Sequence, residues 1–204
     1  ALIGFGGSPW TLATYMIEGE SSKNYARSRQ WYYMHRERFD ALLGKITDAL
    51  IAYFQMQIEA GVDVLQIFDS WGGVLPPHAF GPASTDWITR IVESVGGEVP
   101  VIVFSKNMHE HTESLVATGA DVLGGSWTTS LRKVREALPA DVAVQGNLDP
   151  VIMNTTPELV RQEARRILDE MQGTRGFVFN LGHGILPQAR PENMAALVEE
   201  VSRG

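Results

Sequence analysis

Short apolar runs alternate along the chain with longer amphipathic stretches. The runs predict strands that are buried on both faces, because their apolar residues follow one another instead of alternating with polar ones. The six predicted strands are residues 2–6, 62–69, 101–105, 121–124, 142–146 and 176–181. Continuous apolar strands of this kind are typical of parallel sheets, so the pattern indicates an α/β fold.

The stretches between the strands have the apolar rhythm and the end signals of helices. Ser84 or Thr85 is a candidate N-cap for its helix, and Thr156 followed by Pro157 is a second start signal. Glycines just past several helix ends supply the left-handed residue that a C-cap needs. The predicted helices are 39–60, 84–95, 109–118, 129–138, 156–171 and 191–202, which gives a βα unit six times over.

Two of these units share a sequence step, AGVDVL at 60–65 and TGADVL at 118–123. Such a step is common in (β/α)8 TIM barrels, where active sites lie at the carboxyl ends of the strands. Six units do not close an eight-stranded barrel, which typically needs about 250 residues. We therefore predict a single domain over residues 1–204 of the (β/α)8 family with the first two units missing. An open doubly wound sheet is the alternative.

Composition narrows the function. The chain has no cysteine, which excludes disulfides, cysteine-ligated zinc and a thiol nucleophile, and which fits a cytoplasmic location. The net charge of −7 disfavours nucleic-acid binding. There is no apolar run long enough for a transmembrane helix and no basic region typical of a signal peptide at the start, so no membrane association is expected.

Polar side chains stand at the predicted strand ends. Asp69 is a candidate general acid or base, with the capping of the next turn as the alternative, and Ser70 follows it. Trp71 is interpreted as a packing residue. Lys106 is a candidate anion contact or Schiff-base lysine, against a solvated lysine. Tyr15, after the glycine-rich turn of the first strand, taken alone is more typical of amphipathic packing.

The last strand ends in the most informative stretch, because His183 lies between Gly182 and Gly184. Glycine on both sides predicts an openly presented imidazole and a functional role. Asn147 and Asp149, after the fifth strand, are interpreted as bonding backbone around a proline turn, with lining of the site as the alternative. The segment HEH at 109–111 does not match the HExxH zinc motif and is interpreted as surface.

Four segments together resemble the uroporphyrinogen decarboxylase family, in the order and spacing of that family. They are GFGGSPWTLATYMIEG at 4–19, FDSW at 68–71, QGNLDP at 145–150 and FNLGHGILP at 179–187. The resemblance implies a (β/α)8 barrel, a homodimer, no cofactor and no metal. It also implies loss of the four acetate carboxyl groups of uroporphyrinogen III as CO2, which gives coproporphyrinogen III on the route to heme.

The resemblance also implies roles for individual residues. Tyr15, Ser70 and His183 match residues that contact substrate carboxylates, with Tyr15 and His183 as the catalytic candidates. Phe5 and Phe68 match part of the apolar wall around the tetrapyrrole. In the family, an arginine motif and an aspartate lie in an N-terminal segment that has no counterpart among these 204 residues, and the chain alone is therefore expected to be inactive.

Two rival hypotheses remain at this point. One is a cobamide-dependent methyltransferase of the same fold, which binds zinc through histidine and cysteine and so fits poorly with a chain that has no cysteine. The other is a non-catalytic barrel fragment.

Overall fold

A computed structural model describes residues 1–20, 22–106 and 108–203. Its strands are β1 (Ile3–Gly7), β2 (Val64–Asp69), β3 (Val101–Ser105), β4 (Val122–Gly125), β5 (Ala143–Leu148) and β6 (Phe177–Leu181). Each predicted strand is present, and its ends lie within two residues of the prediction.

The strands are hydrogen-bonded neighbours in chain order, β1-β2-β3-β4-β5-β6. The pairs β1–β2, β2–β3 and β5–β6 are parallel. A doubly wound sheet needs a point at which the strand order reverses, and this order has none. The order is that of a (β/α)8 barrel, so the structure supports the barrel prediction over the doubly wound alternative.

The helices are α1 (Pro9–Glu18), α2 (Ala26–Met34), α3 (Arg36–Glu59), α4 (Pro77–Phe80), α5 (Asp86–Val95), α6 (Thr112–Val116), α7 (Leu131–Ala137), α8 (Pro157–Glu170) and α9 (Pro191–Val201). No helix among the described residues is long and apolar enough to cross a membrane. The sequence pattern did not predict α1, α2 or α4.

The cap predicted for α5 is wrong. Thr85 has helical backbone angles and its side chain makes no cap hydrogen bond, because a π-helical segment, Gly81–Thr85, leads directly into α5. The cap predicted for α8 is confirmed, since the Thr156 side chain accepts a hydrogen bond from the backbone N–H of Leu159. Ser8 caps α1 in the same way, through the N–H of Thr11.

The chain divides into two compact units, Ala1–Leu123 and Gly124–Gly204. In the first unit, α3 packs against β1, and this packing depends on glycine. A Cβ at Gly6 would lie 2.9 Å from the ring of Phe54, which is fully buried. Because Gly6 has no side chain, the ring of Phe54 on α3 can pack directly against the backbone of β1.

The two repeated steps have one structural role in the first unit. The Asp63 carboxylate accepts a hydrogen bond of 2.6 Å from the N–H of Leu2, and the N–H of Asp63 donates back to the Leu2 carbonyl. Asp121 forms the same reciprocal pair with Val101, at 2.8 Å and 3.0 Å. Each aspartate thus closes the amino end of the preceding strand. The glycines before them, Gly61 and Gly119, have φ of 91° and 78°, as the C-cap prediction requires.

In the second unit, α8 and α9 pack together and β5 pairs with β6. Asn193 of α9 is fully buried, and its amide donates hydrogen bonds of 2.9 Å to the carbonyls of Met153 and Thr155. A buried amide with partners fixes the position of α9 more specifically than apolar contact alone.

Candidate active site

The carboxyl end of β2 places Asp69 inside the first unit. Its side chain has no exposure, and its Oδ1 accepts a 2.6 Å hydrogen bond from the hydroxyl of Ser8, which is also fully buried. Its Oδ2 packs against Gly72, where a Cβ would lie 1.8 Å from it. Burial raises the pKa of Asp69 from 3.8 to about 6, and the Ser8 hydrogen bond acts in the opposite direction.

This position contradicts the prediction that Asp69 is available at the strand end as a general acid or base. Successive side chains of a strand point to opposite faces, so Asp69 is directed away from the face to which Phe68 points. A carboxyl without solvent access, bonded to Ser8, holds β2 to the start of α1. Asp69 is therefore a structural group in this unit.

Phe68, near the carboxyl end of β2, and Phe5, in the middle of the neighbouring strand β1, form an apolar contact. Their rings meet edge to face with centroids 6.0 Å apart, and Phe104 of β3 continues the row at 5.9 Å from Phe68. Phe5 is 60% exposed, although it is a large apolar side chain. An exposed aromatic surface on these strands is the type of surface that an apolar ligand covers. Ser70, the next polar group along β2, is half-buried.

Tyr15 lies on α1, half-exposed, and its hydroxyl accepts a 2.9 Å hydrogen bond from the indole Nε1 of Trp71. Trp71 packs against Tyr25, as interpreted, and it also makes hydrogen bonds that the interpretation did not include. Its carbonyl accepts from Trp10 Nε1 at 3.0 Å, and its N–H donates to the Thr11 hydroxyl at 3.4 Å. The contact was missed because a tryptophan after a strand end has no spacing that reveals its partner.

The indole of Trp71 has two further neighbours. The Nζ of Lys106 lies 3.9 Å from the centre of the ring, and the Tyr25 ring lies 4.7 Å from it, centroid to centroid. Burial lowers the pKa of Lys106 and raises the pKa of Tyr25 to about 12. Lys106 is thus a half-buried cation over an aromatic face, and the simple alternative of a solvated lysine is wrong.

In the second unit, His183 follows β6 as predicted, but it is not openly presented. The residue is half-buried, its Nε2 is buried, and its ring meets Trp127 edge to face at 6.3 Å. Gly182 allows a close approach of two backbone segments and does not expose the imidazole, since a Cβ there would lie 2.4 Å from the backbone nitrogen of Trp127. A Cβ at Gly184 would meet nothing within 4 Å.

Two other predictions for the polar strand ends have clear outcomes. Asp149 accepts a 2.9 Å hydrogen bond from the N–H of Val151, as the proline-turn interpretation requires. The Asn147 amide donates to the backbone carbonyls of Ser126, at 2.9 Å, and of Thr129. Asn147 therefore bonds backbone, as interpreted, but the backbone of the β4–α7 connection and not of the proline turn.

His111 contradicts the prediction of a surface segment at 109–111. It is 6% exposed, and its ring stacks on Phe80 with centroids 3.8 Å apart and an angle of 8° between planes. Burial lowers its pKa. The apolar partner lies 31 positions away in the chain, so periodicity around residue 111 gave no sign of it. His109 is exposed, as predicted.

The described residues contain no cluster of three or more histidine, aspartate or glutamate side chains that could hold a metal ion. The strand ends of the first unit carry aromatic surface, hydroxyl groups and a half-buried lysine, and the end of β6 in the second unit carries a histidine. In parallel α/β barrels, ligands bind at the carboxyl ends of the strands.

Comparison with known proteins gives the family. A family model described as uroporphyrinogen decarboxylase (URO-D) matches residues 1–204. The chain is 46% identical to the uroporphyrinogen decarboxylase of Alkalilimnicola ehrlichii, over 98% of this chain and 56% of the relative. It is 45% identical to that of Coxiella burnetii, over 98% of this chain and 57% of the relative. The chain belongs to the uroporphyrinogen decarboxylase family, and it spans somewhat more than half the length of these relatives.

Solved structures support the fold. A methyltransferase from Methanosarcina mazei superposes with a TM-score of 0.83 at 21% identity, over 98% of this chain and 58% of that chain. A putative vitamin-B12 independent methionine synthase from Listeria monocytogenes superposes with a TM-score of 0.62 at 12% identity, over 98% of this chain and 62% of that chain. At these identities the likeness concerns the fold alone.

Proposed function

We propose that this chain provides part of the substrate site of a uroporphyrinogen decarboxylase, which converts uroporphyrinogen III to coproporphyrinogen III in heme biosynthesis. The observation that carries the proposal is the family match over residues 1–204. The methyltransferase alternative is not favoured, because its support is a likeness in fold at 21% identity and the chain has no cysteine for its zinc.

The apolar part of the proposed site is the contact between Phe5 and Phe68. A tetrapyrrole presents a large apolar ring system, and the exposed edge of Phe5 is suited to pack against it. Covering an exposed phenylalanine side chain contributes roughly 1.5 kcal/mol or more to binding.

The polar part consists of Tyr15, Ser70 and His183. Hydroxyl groups donate hydrogen bonds to the acetate and propionate carboxylates of the substrate, and an ionised acceptor makes such bonds stronger than neutral ones. An imidazole can donate a hydrogen bond to a carboxylate or move a proton, and either role is open to His183 in the proposed site. No residue among these replaces the aspartate that the family resemblance implies.

The reaction removes CO2 from each acetate arm and leaves a methyl group. Protonation of the ring carbon next to the one that bears the arm creates a cationic ring that accepts the electron pair of the breaking C–C bond, and CO2 leaves. The exocyclic methylene that results takes up a proton to become the methyl group, and the ring carbon releases the proton it had gained, so each CO2 lost consumes one proton. Stabilisation of that cation is the principal demand on the protein. We propose that residues in the remaining part of the relatives' length meet this demand.

We further propose a cytoplasmic homodimer without cofactor, on the strength of the family resemblance.

The decarboxylase proposal is tested by an activity assay. Uroporphyrinogen is incubated with the 204-residue chain and, separately, with the chain joined to the portion of the A. ehrlichii relative that it does not match. Only the joined protein is expected to form coproporphyrinogen. Absence of product from the joined, folded protein contradicts the proposed function, and turnover by the 204-residue chain contradicts the proposed division of roles.

A further inference from the structure

Each polar group of Trp71 has a hydrogen-bond partner on one helix, and its carbonyl also accepts from the N–H of Val74. The indole N–H donates to Tyr15, the carbonyl accepts from Trp10, and the backbone N–H donates to Thr11. The three partners lie on α1, and Thr11 and Tyr15, four positions apart, share a face of it. We propose that Trp71 is a positioning residue that directs the Tyr15 hydroxyl proton toward a ligand carboxylate, an inference that rests on the proposed function of Tyr15.

The direction of the hydrogen bond follows from the chemistry of the donor. An indole Nε1–H donates and cannot accept, so in this 2.9 Å contact the Tyr15 oxygen is the acceptor. The indole hydrogen occupies one lone-pair position of the phenol, which excludes the phenolic O–H from that side. Tyr15 is 45% exposed, so its own proton is left to donate to a group that arrives from solvent.

The surroundings of Trp71 strengthen this arrangement. Lys106 Nζ lies 3.9 Å from the centre of the indole ring. A cation over an aromatic face attracts its π electrons, which makes the indole N–H a better donor. Donation from the indole in turn makes the Tyr15 O–H a better hydrogen-bond donor, because hydrogen bonds in a chain polarise one another.

Tyr25 restricts the ring that Lys106 polarises. Its side chain is completely buried and contacts the indole with centroids 4.7 Å apart and an angle of 39° between planes. A ring held by Tyr25 and by backbone bonds to α1 has few alternative rotamers. The orientation of the Tyr15 hydroxyl is therefore set before a ligand binds, which lowers the entropic cost of binding.

The geometric test uses indole NMR signals of the 204-residue chain. The chain has five tryptophans, and the Trp71 signal is the one lost in Trp71→Phe. In Tyr15→Phe the Trp71 indole proton is expected to shift upfield and to exchange with water roughly fivefold faster, because its acceptor is gone. Trp87→Phe is the control, since Trp87 Nε1 donates to the Pro82 carbonyl at a different place. An unchanged Trp71 signal in Tyr15→Phe overturns the proposal.

The functional test uses the joined protein described above. Trp71→Phe keeps an aromatic ring beside Lys106 and Tyr25 and removes only the donor. It is expected to raise KM about tenfold with little change in kcat, because the oriented proton binds the carboxylate before and during reaction. Tyr15→Phe is expected to do the same, and the double variant is expected to be no worse than Tyr15→Phe alone.

These experiments distinguish failure of the positioning role of Trp71 from failure of the proposed decarboxylase function. Additive losses in the double variant overturn the positioning role, while the decarboxylase function stands. An inactive joined protein overturns the proposed function, and the Trp71 signal in Tyr15→Phe then still decides whether the indole holds the Tyr15 hydroxyl. A Trp71→Phe variant with unchanged KM contradicts the inference, whatever its effect on melting temperature.

Discussion

The Ser8 hydroxyl donates a 2.6 Å hydrogen bond to the carboxylate of Asp69, and neither side chain has any contact with solvent. The bond ties the end of β2 to the N-cap of α1, which is the helix that carries Tyr15. The hydroxyls of Ser8 and Ser84 both favour the ionised carboxyl, but they do not fully replace its hydration, because burial still raises its pKa. Asp69 therefore holds the end of β2 against α1, but the buried carboxylate lowers the free energy of unfolding.

The loss of stability caused by the buried Asp69 carboxylate depends on pH. The folded pKa of Asp69, about 6, is above its ordinary value of 3.8, so the folded chain binds more protons between these values. Stability thus falls as pH rises through that window. Asp69→Asn is expected to raise the free energy of unfolding by up to about 3 kcal/mol at pH 8 and to change it little at pH 4.

Denaturant unfolding at the two pH values measures this difference. The exposed Asp141→Asn serves as the control, and it is expected to show no such dependence. A destabilised Asp69→Asn at pH 8 would mean that the carboxylate stabilises the fold. Gly72→Ala is a companion variant and is expected to destabilise at both pH values, because its Cβ would displace Asp69 Oδ2.

The two repeated aspartates offer a matched pair. Both bond the N–H that opens the preceding strand, but the bond from Val101 to Asp121 is partly buried and the bond from Leu2 to Asp63 is exposed. Asp121→Ala is expected to lower the free energy of unfolding by about 2 kcal/mol, because a shielded N–H loses a charged acceptor. Asp63→Ala is expected to cost less than about 1 kcal/mol. If urea titrations show equal losses of unfolding free energy for the two variants, burial does not determine the contribution of these hydrogen bonds.

These aspartates also illustrate how far the sequence leads. The step GVDVL at 61–65 predicted a C-cap glycine and a buried strand, and both are local features that depend on neighbouring residues. The strand order followed, because each βα unit places its strand beside the previous one. The partner of each aspartate lies in another strand, so the sequence alone gave no reason to assign it.

In the candidate site, too, the sequence predicted which residues take part but not which groups they contact. Motif resemblance selected Phe5, Phe68, Ser70, Tyr15 and His183, and the structure places the aromatic pair, Phe5 and Phe68, in contact on neighbouring strands. Resemblance gave nothing about Trp71, because its role depends on which group its N–H meets. Asp69 was misjudged because a strand end places adjacent side chains on opposite faces, and a motif does not tell which face is open.

His111 gives a third prediction, on acid stability. Burial lowers its folded pKa below the ordinary value of 6.5, so below pH 6.5 the unfolded chain binds the extra proton more readily and stability falls. His111→Phe keeps a ring against Phe80 and is expected to reduce the loss between pH 6.5 and 5, by at most about 1.4 kcal/mol per pH unit. Melting temperatures across that range measure it, with the exposed His109→Gln as control. Identical acid sensitivity in His111→Phe and the parent would rule out this contribution.

The glycines that flank His183 are expected to respond differently to one added methyl group. Gly182→Ala would bring its Cβ to 2.4 Å from the backbone nitrogen of Trp127, so the β6 end or the segment at Trp127 must shift. A loss of about 2 kcal/mol or more in unfolding free energy is expected. Gly184→Ala meets no atom within 4 Å and is expected to leave stability within about 0.5 kcal/mol. Similar stabilities for the two variants would show that the backbone approach at Gly182 is not tight.

His183 itself is expected to matter for the reaction more than for the fold. Its ring meets Trp127 edge to face, and the residue is half-buried, so His183→Ala is expected to remove little packed surface. In the joined protein the variant is expected to lower kcat/KM for uroporphyrinogen at least tenfold, a typical effect of losing a charge-assisted bond to a carboxylate. The melting temperature is expected to change by less than about 3 °C. A large fall in melting temperature with normal kcat/KM would instead identify His183 as a structural residue that holds the Trp127 segment.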